Sequence, residues 1–192
     1  MNSDLIRLLA TREGGQVRRC HVLPHISSYT VGLHTYGAVS LLLLLHPSPS
    51  LALIKAVQWH DVAERWMGDM PSPVKSRHPE LGQLYERIER QCLESLGLAQ
   101  NLTSDERAWL RAVDLLELYL WCREEERAGN GNVREWTEGI RAALSGLFLD
   151  GDLPPRIDAL LRQIDGRKEL PRLSDHFTYV ERDLNGPGEA GS

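Results

Sequence analysis

The stretch WLRAVDLLELYLW, residues 109–121, limits the fold more than any other part of the chain. It is apolar on nearly every helical face, so as a helix it has no solvent side and must run through the middle of a packed body. TSDE at 103–106 supplies a capping signal ahead of it, and AGNGN at 128–132 ends it. The central helix is therefore expected over 104–127. A chain of 192 residues is long enough to surround such a helix as one domain. No segment alternates with period two, and the other apolar positions recur at helical spacing. Further helices are expected over 3–12, 30–46, 50–67, 79–97, 132–147 and 155–166. Gly14 and Gly15 end the first, and Ser50 caps the third. Residues 16–29 read as irregular and rich in Arg and His. The run GDMPSPVKSRHP, 68–79, reads as a loop, because three prolines forbid a continuous helix. The expectation is an all-α fold, one domain over 1–183 and a flexible tail over 184–192.

Composition narrows the partners. A formal charge of −5 argues against a nucleic-acid polymer, which a basic surface would hold. Three cysteines without a C-x-x-C suggest a reduced, cytoplasmic protein with no disulfide framework. The N-terminal MNSDLIRLLATREGG lacks the basic start and unbroken apolar region of a signal peptide. The LLLLL run at 41–45 ends at HPSPS, and its apolar surroundings fall short of the roughly 20 residues a span needs. A buried helix and no membrane partner are expected.

Three of the expected helices carry polar groups on faces meant for the core. His34 shares a stripe with Val31, Ala38, Leu41, Leu42 and Leu45. His60 and Glu64 share one with Leu53 and Val57, and Asp61 lies on the neighbouring stripe. Asp114 lies within the central helix. A carboxylate so placed is costly unless paired. One divalent cation would satisfy imidazole nitrogens of His34 and His60 and carboxylate oxygens of Asp61 and Asp114 together. A mixed N/O set suits Zn, Mn, Fe or Co better than Ca. Each residue alone has an ordinary alternative. His34 could bond a carbonyl in the core, an adjacent His-Asp pair is common, and Asp114 could pair with Arg111 or a distant arginine. The order H…HD…D across three core helices favours the shared ion.

That order resembles the signature of the HD-domain phosphohydrolase superfamily, which implies an HD-domain helical bundle. HDVAERWMGDMPSPVK, 60–75, is similar to the HD-E-GD-P-PVK segment of the bacterial 5′-deoxynucleotidases, as are Arg19, fifteen residues before His34, and RAVDLLELYLWCREE. VRRCHVLPHISSYTVGLHTYG, 17–37, looks closer to the small phage triphosphohydrolases that cleave dATP to deoxyadenosine and triphosphate. The chain departs from many relatives in having Leu33-His34-Thr35 where E-H-S is common, and Cys20 where the deoxynucleotidases tend to place Trp.

The resemblance implies roles. Glu64 would do general acid/base work and Asp69 would position water or substrate. Arg19 would grip phosphate and Lys75 would add a point charge. As alternatives, Glu64 could be a solvated carboxylate paired with Arg65 or Arg90, and Asp69 a turn-capping residue. Arg18 and Arg77 read as surface residues, while His21, Pro24 and His25 line either a base pocket or a plain loop. Members with two metals carry extra histidines between the HD pair and the last Asp. Only His78 stands there, so one ion is expected, with Mg able to arrive on substrate phosphates. The leading expectation is a dATP triphosphohydrolase. The alternatives are a 5′-deoxynucleotidase acting on dNMPs and a non-catalytic nucleotide-sensing domain. A small deoxynucleotide is the expected partner, in a cytoplasmic homo-oligomer (host cytoplasm if phage-encoded).

Overall fold

The computed structural model describes residues 3–167. Its helices are α1 (Ser3–Gly14), α2 (Val31–Leu45), α3 (Leu51–Trp59), α4 (Glu64–Met67), α5 (Ser72–Arg77), α6 (Pro79–Ser95), α7 (Ser104–Arg127), α8 (Arg134–Leu149) and α9 (Pro155–Asp165), with a 3-10 turn at Gly131–Val133. Among the described residues there is no strand, only an isolated bridge between Arg18 and Thr30. No described helix is long and apolar enough to cross a membrane. The expected boundary at 183–184 and the tail lie outside the described residues.

The central helix forms where its sequence requires. Thr103 accepts from the Glu106 amide at 3.2 Å, and the Glu106 carboxylate accepts from the Thr103 amide at 2.9 Å. This capping box satisfies two donors that a helix start leaves free. Between Trp109 and Trp121 only Arg111 is exposed. Around α7 pack Ala38 and Leu42 of α2, Leu53 and Val57 of α3, Leu144 and Leu147 of α8, and Ile157 and Leu161 of α9. Each fully buried aliphatic contributes about 1.5–3 kcal/mol, so this shared core fixes the elements that carry the polar groups.

Two expectations need correction. The helix expected over 50–67 is interrupted: α3 stops at Trp59 and α4 starts at Glu64. Between them the backbone bonds tighten to a three-residue step, Val62 N to Trp59 O at 3.1 Å and Glu64 N to Asp61 O at 3.0 Å. Adjacent side chains on a regular α-helix point about 100° apart. The tightened turn instead brings His60 Nε2 within 3.2 Å of Asp61 Oδ2. The expected loop at 68–79 contains α5, because a proline in a helix's first turn has no amide bond to lose. Gly68, at φ 75, makes the reversal between α4 and α5 that a side chain would strain.

Residues 16–29 are irregular, as expected, but firmly anchored. The amides of Val31 and Gly32, free at the start of α2, donate to Val17 and Gly15 at 2.9 and 3.0 Å. At the other end Glu125 of α7, 1% exposed, accepts from the amides of Ile26 and Ser27 at 2.8 Å each, the Ser27 hydroxyl at 2.5 Å and the Asn130 amide at 2.7 Å. Burial alone would raise the Glu125 pKa. These donors outweigh it and lower the value from 4.5 to about 2. A carboxylate with a depressed folded pKa stabilises the fold above its unfolded value and loses that contribution as pH falls through the folded one. Glu125→Gln should therefore lower the unfolding free energy at pH 7 by about 1–3 kcal/mol. In urea titrations the gap from wild type should close as pH falls from 4.5 to about 2. A gap that does not vary with pH would contradict the account.

Candidate metal centre

Four polar atoms from α2, the turn after α3, and α7 meet at one point. His34 Nε2 lies 2.9 Å from Asp114 Oδ1, 3.3 Å from His60 Nε2 and 3.6 Å from Asp61 Oδ2. His60 Nε2 lies 3.2 Å from Asp61 Oδ2 and 3.6 Å from Asp114 Oδ1. Ligand atoms held about 2.1 Å from one ion stand about 3.0–3.4 Å apart. His34, His60 and Asp61 form a group able to hold one metal ion, and Asp114 Oδ1 stands within 3.6 Å of both imidazoles. Asp114 lies near a distant arginine, Arg19: burial lowers the Arg19 pKa, and the charges of Asp61 first and Asp114 among the others raise it. His34 is fully buried and its ring meets side chains rather than a core carbonyl, while Arg111 is exposed and Asp114 faces His34.

Both imidazoles are oriented from behind. His60 Nδ1 lies 2.9 Å from the Val57 carbonyl, to which it can donate. His34 Nδ1 hydrogen-bonds Glu117, which also accepts from the Tyr29 hydroxyl at 2.5 Å. Such partners leave each Nε2 facing the cluster. The ion pairs set the charge states. Burial lowers the pKa of His34, and so does Arg19, but Asp114 and Glu117 bring it above the ordinary value. Burial raises Asp114, yet the bonds from His34 and His60 hold it well below the carboxylate range.

Beside this set sits Arg19, its Nη1 on Asp61 and 3.7 Å from Glu64 Oε1. Arg19 Nε and Glu64 Oε2 are buried without a protein partner, leaving both able to bond a water or another group. Glu64 is 5% exposed, so it is not the solvated carboxylate of the alternative reading; Arg65 pairs with Glu13 instead. Burial first, then the charges of Asp61 and Asp69, raise Glu64 to about 8 against the opposing pull of Arg19.

Asp69 and Lys75 stand further out. Asp69 accepts from the Cys20 amide at 2.8 Å, with His21 at 3.7 Å. Cys20 adopts φ 53, a conformation costly for a non-glycine residue. The Asp69 bond helps to hold that turn, and the turn delivers Arg19. Lys75 lies on α5 with Nζ 4.6 Å from the Tyr85 ring centre, and no described contact joins it to the four-residue set. Arg18 and Arg77 are exposed, as expected, and His25 packs against Trp121. A cleft of about 240 Å³ opens beside His60, walled by Trp59, Leu93 and Leu98, with Glu89 on its lining. Sequence reasoning missed Glu117, Tyr29 and Glu125. Of these only Glu117 left a signal, a second acid one turn after Asp114 in an otherwise apolar run.

The chain is similar to several 5′-deoxynucleotidases. A 5′-deoxynucleotidase of Vibrio cholerae is 32% identical over 87 residues, covering 38% of this chain and 45% of its own length. One of Shewanella oneidensis is 31% identical over 114 residues, covering 52% and 56%. The chain thus spans about half the length of the curated relatives it matches. The crystal structure of the PH0347 protein from Pyrococcus horikoshii has the same fold at 15% identity, with a TM-score of 0.59 over 83% of this chain and 97% of that one. Residues 48–152, a stretch holding His60, Asp61, Glu64, Asp69, Lys75 and Asp114 but neither Arg19 nor His34, match the family described as 5′-deoxynucleotidase YfbR-like, and the chain belongs to that family.

Proposed function

We propose that this protein is a metal-dependent 5′-deoxynucleotidase that hydrolyses deoxynucleoside monophosphates. One observation carries the reading. Ligand atoms of His34, His60, Asp61 and Asp114 converge beside a buried guanidinium and a buried carboxyl that each keep an unpartnered atom. A phosphate ester offers what that set lacks, anionic oxygens for Arg19 and a leaving oxygen for Glu64. The four residues would hold one Zn, Mn, Co or Fe ion, which supplies Lewis-acid polarisation of a phosphoryl oxygen. Arg19 binds the phosphate through its fork of donors. Glu64 orients the attacking water or protonates the 5′-oxygen as the P–O bond breaks, and its raised pKa supports the second task. Asp69 serves by holding Cys20, and so Arg19, in place. Lys75 contributes at most a distant charge.

Charge favours a monophosphate over the triphosphohydrolase reading. Among the described residues Arg19 is the only arginine or lysine paired with the cluster, one guanidinium fork for one phosphoryl group. The named relatives, 5′-deoxynucleotidases, support the same choice. A cytoplasmic homo-oligomer belongs to the proposal. Exposed Leu44 and Leu149 offer apolar surface for contact between copies, which sedimentation equilibrium would detect.

Purified protein incubated with each dNMP and dNTP plus Mn or Co should release inorganic phosphate from dNMPs, resolved chromatographically. Triphosphate released from dATP would overturn this reading in favour of the triphosphohydrolase, and bound nucleotide without product would favour a sensor. His60→Ala should lose its metal on elemental analysis; stoichiometric metal in the variant would refute the ligand set. Glu64→Ala should lose roughly 10²-fold or more in kcat with metal content and melting temperature retained. Near-normal kcat would remove Glu64 from the chemistry.

A further inference from the structure

Glu117 is a second acid on α7, one turn beyond Asp114 and 14% exposed at its side chain, and the four-residue set does not include it. One of its oxygens receives both the His34 ring and the Tyr29 hydroxyl, the latter at 2.5 Å, and Tyr29 Oη stands 3.2 Å from His34 Nδ1. Tyr29 is itself fixed, stacked on Trp121 with ring centres 4.4 Å apart and planes 11° from parallel. His34 is fully buried, so without Glu117 its Nδ1 has no water to turn to. The path of the Glu117 side chain depends on Gly37. A Cβ there would lie 2.7 Å from Glu117 Cγ and 2.8 Å from Oε1. Real Cβ atoms do not approach so closely, so a side chain at 37 requires the Glu117 side chain that bonds His34 to shift.

We infer that Glu117, seated by Tyr29 and Gly37, is a positioning residue that turns His34 Nε2 toward the metal. The inference rests on the proposed metal reading. A carboxylate behind a ligating imidazole fixes which nitrogen carries the proton, orients the ring and raises its basicity as a ligand. Here the mount is three-sided. Glu117 accepts, Tyr29 donates to the same oxygen, and the bare backbone of Gly37 leaves room for the Glu117 side chain.

The test is metal affinity, read by titrating Co or Zn into metal-free protein against a chromophoric chelator. Glu117→Ala should weaken binding about 10–100-fold, the usual effect of losing such a partner. Glu117→Gln keeps an acceptor and the volume and should recover part of the loss. Gly37→Ala alters no ligand and should weaken binding as well. Should Glu117→Ala fail to fold, Glu117→Gln and Gly37→Ala carry the test. In the metal-free protein the His34 Nδ1–H resonance should sit at low field in wild type and move in Glu117→Gln and Gly37→Ala. Variants that bind within twofold of wild type, or an unmoved His34 resonance, overturn the role of Glu117 and leave the metal reading standing. Wild-type protein that takes up no metal overturns the metal reading, and this inference with it.

Discussion

The contact between Asp114 Oδ1 and His34 Nε2, 2.9 Å, is the one on which the rest of the site depends. It places a carboxylate of the central helix opposite an imidazole with no access to water. His34 is fully buried, whereas the Asp114 side chain stays 32% exposed. Partial exposure of Asp114 screens the pair, so it contributes less than a fully buried ion pair would. The turn after α3 then adds His60 and Asp61 to the same point, so that α2, α3 and α7 are tied together by charge as well as by the aliphatic core.

Around that centre each further group has a structural reason to be where it is. Arg19 does not belong to a helix. It is delivered by a segment whose two ends are held by Glu125 and by the first amides of α2, and whose bend at Cys20 is held by Asp69. The Gly68 reversal is tied to α6, since its carbonyl accepts from Tyr85, whose ring lies under the Lys75 ammonium of α5. The residue expected to position water is thus bonded to the loop that carries the arginine. Its position relative to Glu64 is close enough that its charge raises the Glu64 pKa.

Much of this was legible in the sequence because it is periodic. The extent of α7, its capping box and the H…HD…D order follow from spacing along single helices. What was not legible depends on contacts between distant residues. Glu117 meets Tyr29 across 88 positions and Glu125 meets Ser27 across 98. No local pattern announces either. The break between Trp59 and Glu64 was missed for a related reason, as residues 50–67 keep helical spacing and the interruption is decided by where His60 and Asp61 must point. The prolines of 68–79 misled in the other direction, because a proline in a first helical turn is permissive rather than disruptive.

The central claim, that four side chains from three parts of the fold hold one ion, is tested most directly by anomalous diffraction from crystals of the protein loaded with Mn, Co or Zn. The account predicts a single strong peak at the absorption edge, about 2.1 Å from His34 Nε2, His60 Nε2, Asp61 and Asp114, with the Glu64 carboxyl nearby but outside the ligand set. A peak elsewhere on a fully loaded protein, or a peak that leaves out His34 or Asp114, would contradict it.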